Sequence, residues 1–410
     1  MSAGNSLARG ITRNVVVLGL VSLLTDVSSE LLVYVIPLFL VNVLAATPTA
    51  IGIIEGTAEA VAAFVKLASG AISDRSRRRK PLVGAGYGTS VVSKALYVFA
   101  AAWPVVLVAR VGDRIGKGIR TAPRDALIAD STPAASRGRA FGLHRAMDTA
   151  GAVVGVALAA VVIELAQGDA STLAAETFRL LALAALVPGV LALIVIAVWV
   201  RDVPTAPRTA PVAPLIRPGL RQRAAAFPRA YWVYVAAVGL FTLGNSSDAF
   251  IAIRSQALGV TVRDLMLVII AFNVVNSLVA WPAGGLSDRI GRRGLLAVAW
   301  GIYAVAYAGF ALASAPVHVL PLWLLYGAYY GVNEAVGRAL VADLAAPHLR
   351  ATAFGILNAV VGFAILPASI IAGLAWDRIG QPAPFWFGAL CATAAIVLLA
   401  FVRPPAGGAE

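Results

Sequence analysis

Stretches of about 20 predominantly apolar residues recur along this chain, and at 1.5 Å rise per residue each is long enough to cross roughly 30 Å of hydrocarbon as a helix. A lipid-exposed backbone must satisfy its own hydrogen bonds, so helices are the natural spanning element. The apolar spans read as 15–44, 51–73, 82–102, 105–130, 138–163 and 178–200, then 231–255, 264–286, 294–314, 318–343, 350–375 and 384–402. The expected fold is an all-α membrane protein of about twelve transmembrane helices in two pseudo-symmetric six-helix bundles. With 60% hydrophobic and 13% charged residues, the chain lies far outside the range of soluble globular domains.

The net charge of +13 would suggest nucleic acid as a partner for a soluble protein. Its placement argues for a bilayer instead. Lys and Arg concentrate in alternate connecting segments, whereas the opposite segments carry Arg179, Arg263 and Arg378. The positive-inside rule then places both termini in the cytoplasm of a bacterial-type inner membrane. Two arginines precede the first apolar run as in a signal peptide, but that run holds Asp26 and Glu30 and lacks a convincing cleavage site, so it reads as a retained helix. Cys391 is the single cysteine, and His144, His318 and His348 are far apart, so no disulfide framework and no metal site is expected. No cofactor is implied. The chain shows no Gly-x-x-x-x-Gly-Lys-Ser/Thr phosphate loop and no catalytic module, which argues against an ATP-driven pump or an enzyme.

The proline- and arginine-rich segment 201–229 reads as a cytoplasmic linker between an N-terminal bundle, 1–200, and a C-terminal bundle, 230–410. The halves resemble each other. Gly70-Ala-Ile-Ser-Asp74-Arg75 returns as Gly284-Gly-Leu-Ser-Asp288-Arg289, and Asp125-Ala-Leu-Ile-Ala-Asp130 returns as Arg338-Ala-Leu-Val-Ala-Asp343. Ala140-Phe141-Gly142 returns as Ala353-Phe354-Gly355, and Ser28-Ser29-Glu30 as Ser246-Ser247-Asp248. Four matches in one order indicate duplication, the architecture of alternating-access carriers, in which duplicated halves share a central pathway.

With these motifs the chain resembles the major facilitator superfamily over essentially its whole length. The family's loop signature, Gly-x-x-x-Asp-Arg-x-Gly-Arg-Arg, is complete at Gly284, Asp288, Arg289, Gly291, Arg292 and Arg293. The first copy keeps Gly70, Asp74, Arg75, Arg78 and Arg79 but has Arg77 in place of the second glycine. The resemblance implies a charge network that latches the cytoplasmic helix ends, joined by Arg120 and Arg124; the same arginines also serve as an orientation signal. Gly142, Gly151 and Gly155 keep the spacing of the glycine motif in proton-coupled drug antiporters, although Val156, Ala159 and Ala160 replace its last residues. That partial likeness implies proton-coupled efflux of drug-like or toxic compounds. Close helix packing alone also accounts for the glycines.

Ionisable residues at membrane depth are functional candidates. In the fourth span Arg110, Asp113, Arg114, Lys117, Arg120 and Arg124 fall within an arc of about 120°. Asp26, Glu30, Glu55, Glu59, Lys66, Arg145 and Asp148 supply charges on neighbouring spans. Either these groups merely neutralise one another, or some face water and bind an anionic or zwitterionic substrate. Arg110 matches the family's proton-relay arginine, but Asp113 and Arg114 stand where Gln-Gly usually follows. Coupling needs a carboxylate that gains a proton when dehydrated and loses it when water or a cation approaches. Asp26 or Glu30 is the first candidate, with Glu59 and Asp148 beside them. The expected substrate cavity comprises Glu55, Arg110, Asp113, Arg114, Lys117, Arg145, Asp248, Tyr326 and Tyr330, with Tyr329 as a further stacking candidate. Glu334 and Arg338, one turn apart, read as a local pair. The expected partners are a small molecule, protons and the lipid bilayer, with the chain working as a monomer. The alternative to efflux is import or exchange of an organic anion or metabolite.

Overall fold

The computed structural model describes residues 11–75, 79–133, 136–203, 227–346 and 349–402. Most of the expected 201–229 linker lies outside them. The first six spans form α1 (Arg13–Val33), α2 (Val35–Asn42), α3 (Pro48–Arg75), α4 (Lys80–Val98), α5 (Trp103–Asp130), α6 (Arg137–Gln167) and α7 (Ala175–Trp199). The second set forms α8 (Arg229–Gly244), α9 (Ala249–Ala257), α10 (Val262–Ile290), α11 (Arg292–Leu312), α12 (Val319–Leu344), α13 (Arg350–Arg378) and α14 (Ala383–Ala400). The described residues contain no strand.

The first helix of each set is broken, within spans expected to be continuous. Between α1 and α2 the break is a single residue, Tyr34, still near helical geometry. Between α8 and α9 the chain leaves the helix over residues 245–248, and Tyr303 Oη donates to the freed Gly244 carbonyl at 2.9 Å. Counting each broken pair as one, the described residues hold twelve long helical segments. Eight of them are long and apolar enough to cross a membrane on length and composition. Of the other four, α3, α5 and α12 each carry three or more ionisable residues.

By packing, the chain divides into two compact units, Met1–Ala45 with Thr57–Val212, and Ala46–Gly56 with Ala213–Glu410. In the first unit α1 packs on α6 and α7, and α4 on α5 and α7; in the second α8 packs on α13 and α14, and α11 on α12 and α14. The same neighbours recur in both copies, as duplication requires. The first turns of α3 pack with the second unit: a Cβ at Gly52 or Gly56 would run into the α13 backbone at Ser369 or Leu366. The Thr49 amide donates to the Asp377 carboxylate at 2.9 Å, and its hydroxyl to the same oxygen. Apolar side chains such as Leu165, Val187, Phe363 and Leu390 are exposed on the bundle surfaces, where lipid rather than water is the natural solvent.

Within the first unit, α4 and α5 cross through glycines. A Cβ on Gly86 would lie 2.7 Å from the Arg120 backbone nitrogen, and one on Gly116 would lie 2.5 Å from the Gly86 carbonyl oxygen. We expect Gly116→Val to destabilise the protein by about 1–3 kcal/mol through overpacking. Gly142→Ala, where nothing lies within 4 Å, should be close to neutral. Thermal unfolding in detergent separates the two.

Candidate functional site

Polarity concentrates in the first unit, where α5 turns its charged arc inward. Arg110, Asp113 and Arg120 are buried, Arg114 and Arg124 are half-buried, and Lys117 is exposed. Small residues make that burial possible. Gly112 and Gly116 lie against Ser93 and Ser90 of α4, and Gly118 against Val65 of α3. Arg120 donates to Ser90 Oγ at 2.5 Å and lies 4.6 Å over the Tyr87 ring. Arg114 forms an ion pair with Glu59 of α3 at 2.9 Å. Arg124 pairs with the adjacent Asp125 at 3.0 Å and donates to Ser22 of α1 at 3.2 Å. Asp113 lies in the field of Lys94, Arg114, Arg120 and Arg110.

The α1 carboxylates face this arc. Asp26 and Glu30 are both half-buried. Asp26 feels Asp148, Lys117, Arg120 and Arg124, and Glu30 feels Asp26, Lys117, Arg114 and Arg110. On their other side lies α6. A Cβ on Gly151 would stand 3.1 Å from Asp26 Cβ and 2.5 Å from the Leu23 carbonyl; one on Gly155 would stand 2.8 Å from Glu30 Cβ. Two of the three antiporter-like glycines thus hold α6 against the carboxylate-bearing face of α1. Gly142 has no such neighbour. Asp148 of α6 lies 3.6 Å from His144 one turn earlier, and Arg145 is exposed. Lys94 of α4, which the sequence reading passed over, is only 2% exposed and donates to both Ser28 and Ser29 of α1 at 2.9 Å.

The second unit fills the corresponding space with rings. Trp300, Tyr303, Tyr307, Trp323, Tyr326 and Tyr329 are fully buried, with Tyr303 stacked on Tyr307 at 4.0 Å and Phe272 on Tyr326 at 5.7 Å. Tyr326 donates to Asp248 at 2.6 Å. Asp248 is half-buried beside the α8–α9 break, whereas its repeat counterpart Glu30 lies within a continuous helix. Tyr330 is 38% exposed. Glu55, in the segment that packs with this unit, is buried. Glu334 and Arg338 are both exposed.

At the helix ends that follow the loop signatures, the arginines find partners that sequence alone did not assign. Arg79 pairs with Asp130 and Arg292 with Asp343, each 51 positions apart. The duplicated aspartates were legible as a repeat, but their role as partners was not. Arg292 also donates to the Ala339 carbonyl at 3.1 Å, and Arg293 to the Val402 carbonyl at 2.8 Å. Arg289 is exposed. Gly291 has φ +87°, the left-handed conformation that favours glycine after a helix. A Cβ on Gly70 would stand at an ordinary 3.7 Å from Ala122 Cβ. Gly284 falls within α10, whereas the side chains of Asp74, Arg75 and Asp288, and all of Arg77, Arg78 and His348, lie outside the described residues. Among the described residues no group of three or more His, Cys, Asp or Glu could hold a metal.

Among the described residues, twelve long helical segments in duplicated bundles, with charges buried inside an apolar exterior, define a polytopic membrane transporter. The chain belongs to the major facilitator superfamily, whose profile matches residues 18–253 and 236–410. It is 33% identical over 408 residues to an uncharacterized MFS-type transporter of Methanocaldococcus jannaschii, covering 98% of each chain. Among solved structures it is similar to a variant of the nucleoside transporter NupG, with a TM-score of 0.77 at 14% identity, covering 94% of this chain and 99% of that one. It is likewise similar to a D-xylose-proton symporter, with a TM-score of 0.73 at 17% identity, covering 96% and 98%. At such identities the two structures speak for the fold.

The Glu59–Arg114 pair generates a direct test. A double-mutant cycle with Glu59→Gln and Arg114→Gln should show a coupling of about 1 kcal/mol or more, read from unfolding in detergent. Additive effects would mean that the two groups act separately.

Proposed function

We propose that the protein is a proton-coupled antiporter that exports a small, drug-like or toxic compound by alternating access. One observation carries the reading. Two carboxylates on one helix, Asp26 and Glu30, are held by α6 glycines against a field of bases from α5, with Asp148 close by. Carboxylates screened by bases and reachable by water can exchange a proton as hydration changes. In this reading Asp26 and Glu30 carry the proton, and Glu59 and Asp148 modulate them. In the first unit Arg110, Asp113, Arg114, Lys117 and Arg145 form a polar face suited to substrate; in the second unit Asp248, Tyr326, Tyr330 and Glu55 form an aromatic and acidic one. The Arg79–Asp130 and Arg292–Asp343 pairs are the cytoplasmic latches. Both termini lie on the cytoplasmic side of a bacterial-type inner membrane, segment 201–229 is the linker, and one chain suffices for transport.

A second reading has its own observation. Lys117 is exposed although Arg114, Glu59, Asp26 and Arg120 surround it, which suits a water-accessible base that meets an organic anion. Uptake of that anion with a proton is the resulting alternative.

Proteoliposomes with a trapped pH indicator distinguish the two. Lipophilic cations and organic anions are added outside in turn. An antiporter exchanges outside substrate for luminal protons and alkalinises the lumen; a symporter acidifies it. We expect alkalinisation in the wild type and its loss in Asp26→Asn/Glu30→Gln. A response unchanged in that double variant would overturn the coupling assignment.

A further inference from the structure

The second copy of the bundle isolates one residue of the first. At an offset of 213 positions, Tyr87, Ser90, Lys94 and Tyr97 of α4 correspond to Trp300, Tyr303, Tyr307 and Phe310 of α11, and all eight are buried. The same offset relates the Arg79–Asp130 pair to Arg292–Asp343, so the correspondence is structural as well as sequential. The fold fills one and the same position with a neutral phenol in one copy and an ammonium in the other. Packing therefore does not demand a charge at position 94.

A buried ammonium is costly unless anions and hydrogen-bond acceptors compensate it. Lys94 hydrogen-bonds to two neutral hydroxyls, Ser28 and Ser29. Ser28 gives its own proton to the Ala185 carbonyl at 2.6 Å, which leaves its lone pairs for the ammonium. On α1 these serines stand between Asp26 and Glu30. The charged groups that act on Lys94 are Asp113 and Arg120 from α5, and Asp26 and Glu30 from α1. From α7, which also packs on α4, the ionisable residues are Glu176 and Arg179, both exposed near its start. Lysine is a compact charge on a flexible four-carbon stem, suited to moving between neighbouring acceptors.

We propose that Lys94 is the mobile counter-cation of the α1 carboxylates. When Asp26 or Glu30 releases its proton to water, the Lys94 ammonium shifts from the serine hydroxyls onto the carboxylate; when the proton returns, it falls back to Ser28 and Ser29. The Lys94 ammonium then adds to the α5 bases that already act on Asp26 and Glu30, namely Lys117, Arg110, Arg114, Arg120 and Arg124. Lys94 is thus a positioning residue that sets the pH at which the carrier loads. The inference rests on the proton-coupling reading above.

No substrate is needed for the test. The protonated-carboxyl infrared band of the purified full chain is titrated in wild type, Lys94→Gln, Lys94→Tyr, Lys94→Arg and Asp26→Asn/Glu30→Gln. Lys94→Tyr borrows the side chain of the second copy and guards against misfolding. Removing a neighbouring positive charge makes the ionised carboxylate less favourable, so in Lys94→Gln and Lys94→Tyr the midpoint should move alkaline by about one pH unit or more. Lys94→Arg should keep it near the wild-type value. A band that vanishes in the double variant yet keeps its midpoint without Lys94 would overturn the Lys94 proposal alone. A band that survives the double variant would overturn the coupling reading and this proposal together.

Discussion

A charge withdrawn from water into an apolar bundle is stable only among partners, and the first unit is organised around that requirement. Arg114 has Glu59, Arg120 has Ser90 and the Tyr87 ring, and Lys94 has Ser28 and Ser29. None of these arrangements forms unless the helices approach closely. The glycines at 86, 112, 116 and 118 let α5 approach α4 and α3, and those at 151 and 155 let α6 approach α1. Backbone packing and electrostatics are therefore one problem in this unit: the small residues bring the charged residues within reach, and the charged residues give the close approach a purpose.

The duplicated scaffold solves the same spatial problem twice with different chemistry. Both copies keep the same helix neighbours and the same arginine–aspartate clasp. Inside, one copy carries bases and carboxylates, and the other carries stacked tyrosines and tryptophans around Asp248. The contrast shows which features the fold requires and which were free to specialise. A position that is Lys94 in one copy and Tyr307 in the other belongs to the second kind.

Much of this was legible in the residues because it depends on periodicity. The helical segments follow from apolar run length, the duplication from spaced motifs, and the charged arc of α5 from 100° per residue. What escaped detection depends on contacts between distant segments. The breaks at Tyr34 and at 245–248 fall inside spans read as continuous from their length, although Pro37 and Gly244-Asn245-Ser246-Ser247-Asp248 are local breaker signals. Lys94 was missed because one lysine inside a helix of small and apolar residues shows no pattern until Ser28 and Ser29 are seen beside it. The Arg79–Asp130 pair hid for the same reason. Gly142, legible as part of a spaced motif, proves to have no close neighbour, whereas Gly151 and Gly155 of the same motif do: spacing alone cannot tell which small residue is pressed against a partner.

If the first unit works as a carrier, the charged face of α5 meets water rather than lipid, and thiol accessibility reports on that. With the one native cysteine, Cys391, replaced, a cysteine is placed at Lys117 and, in a second variant, at Val187, an exposed apolar position on α7. Membrane-impermeant thiol reagents react with the water-stabilised thiolate. We expect rapid labelling at 117 from at least one side of the membrane and little at 187. Labelling at 117 as slow as at 187 from both sides would contradict it.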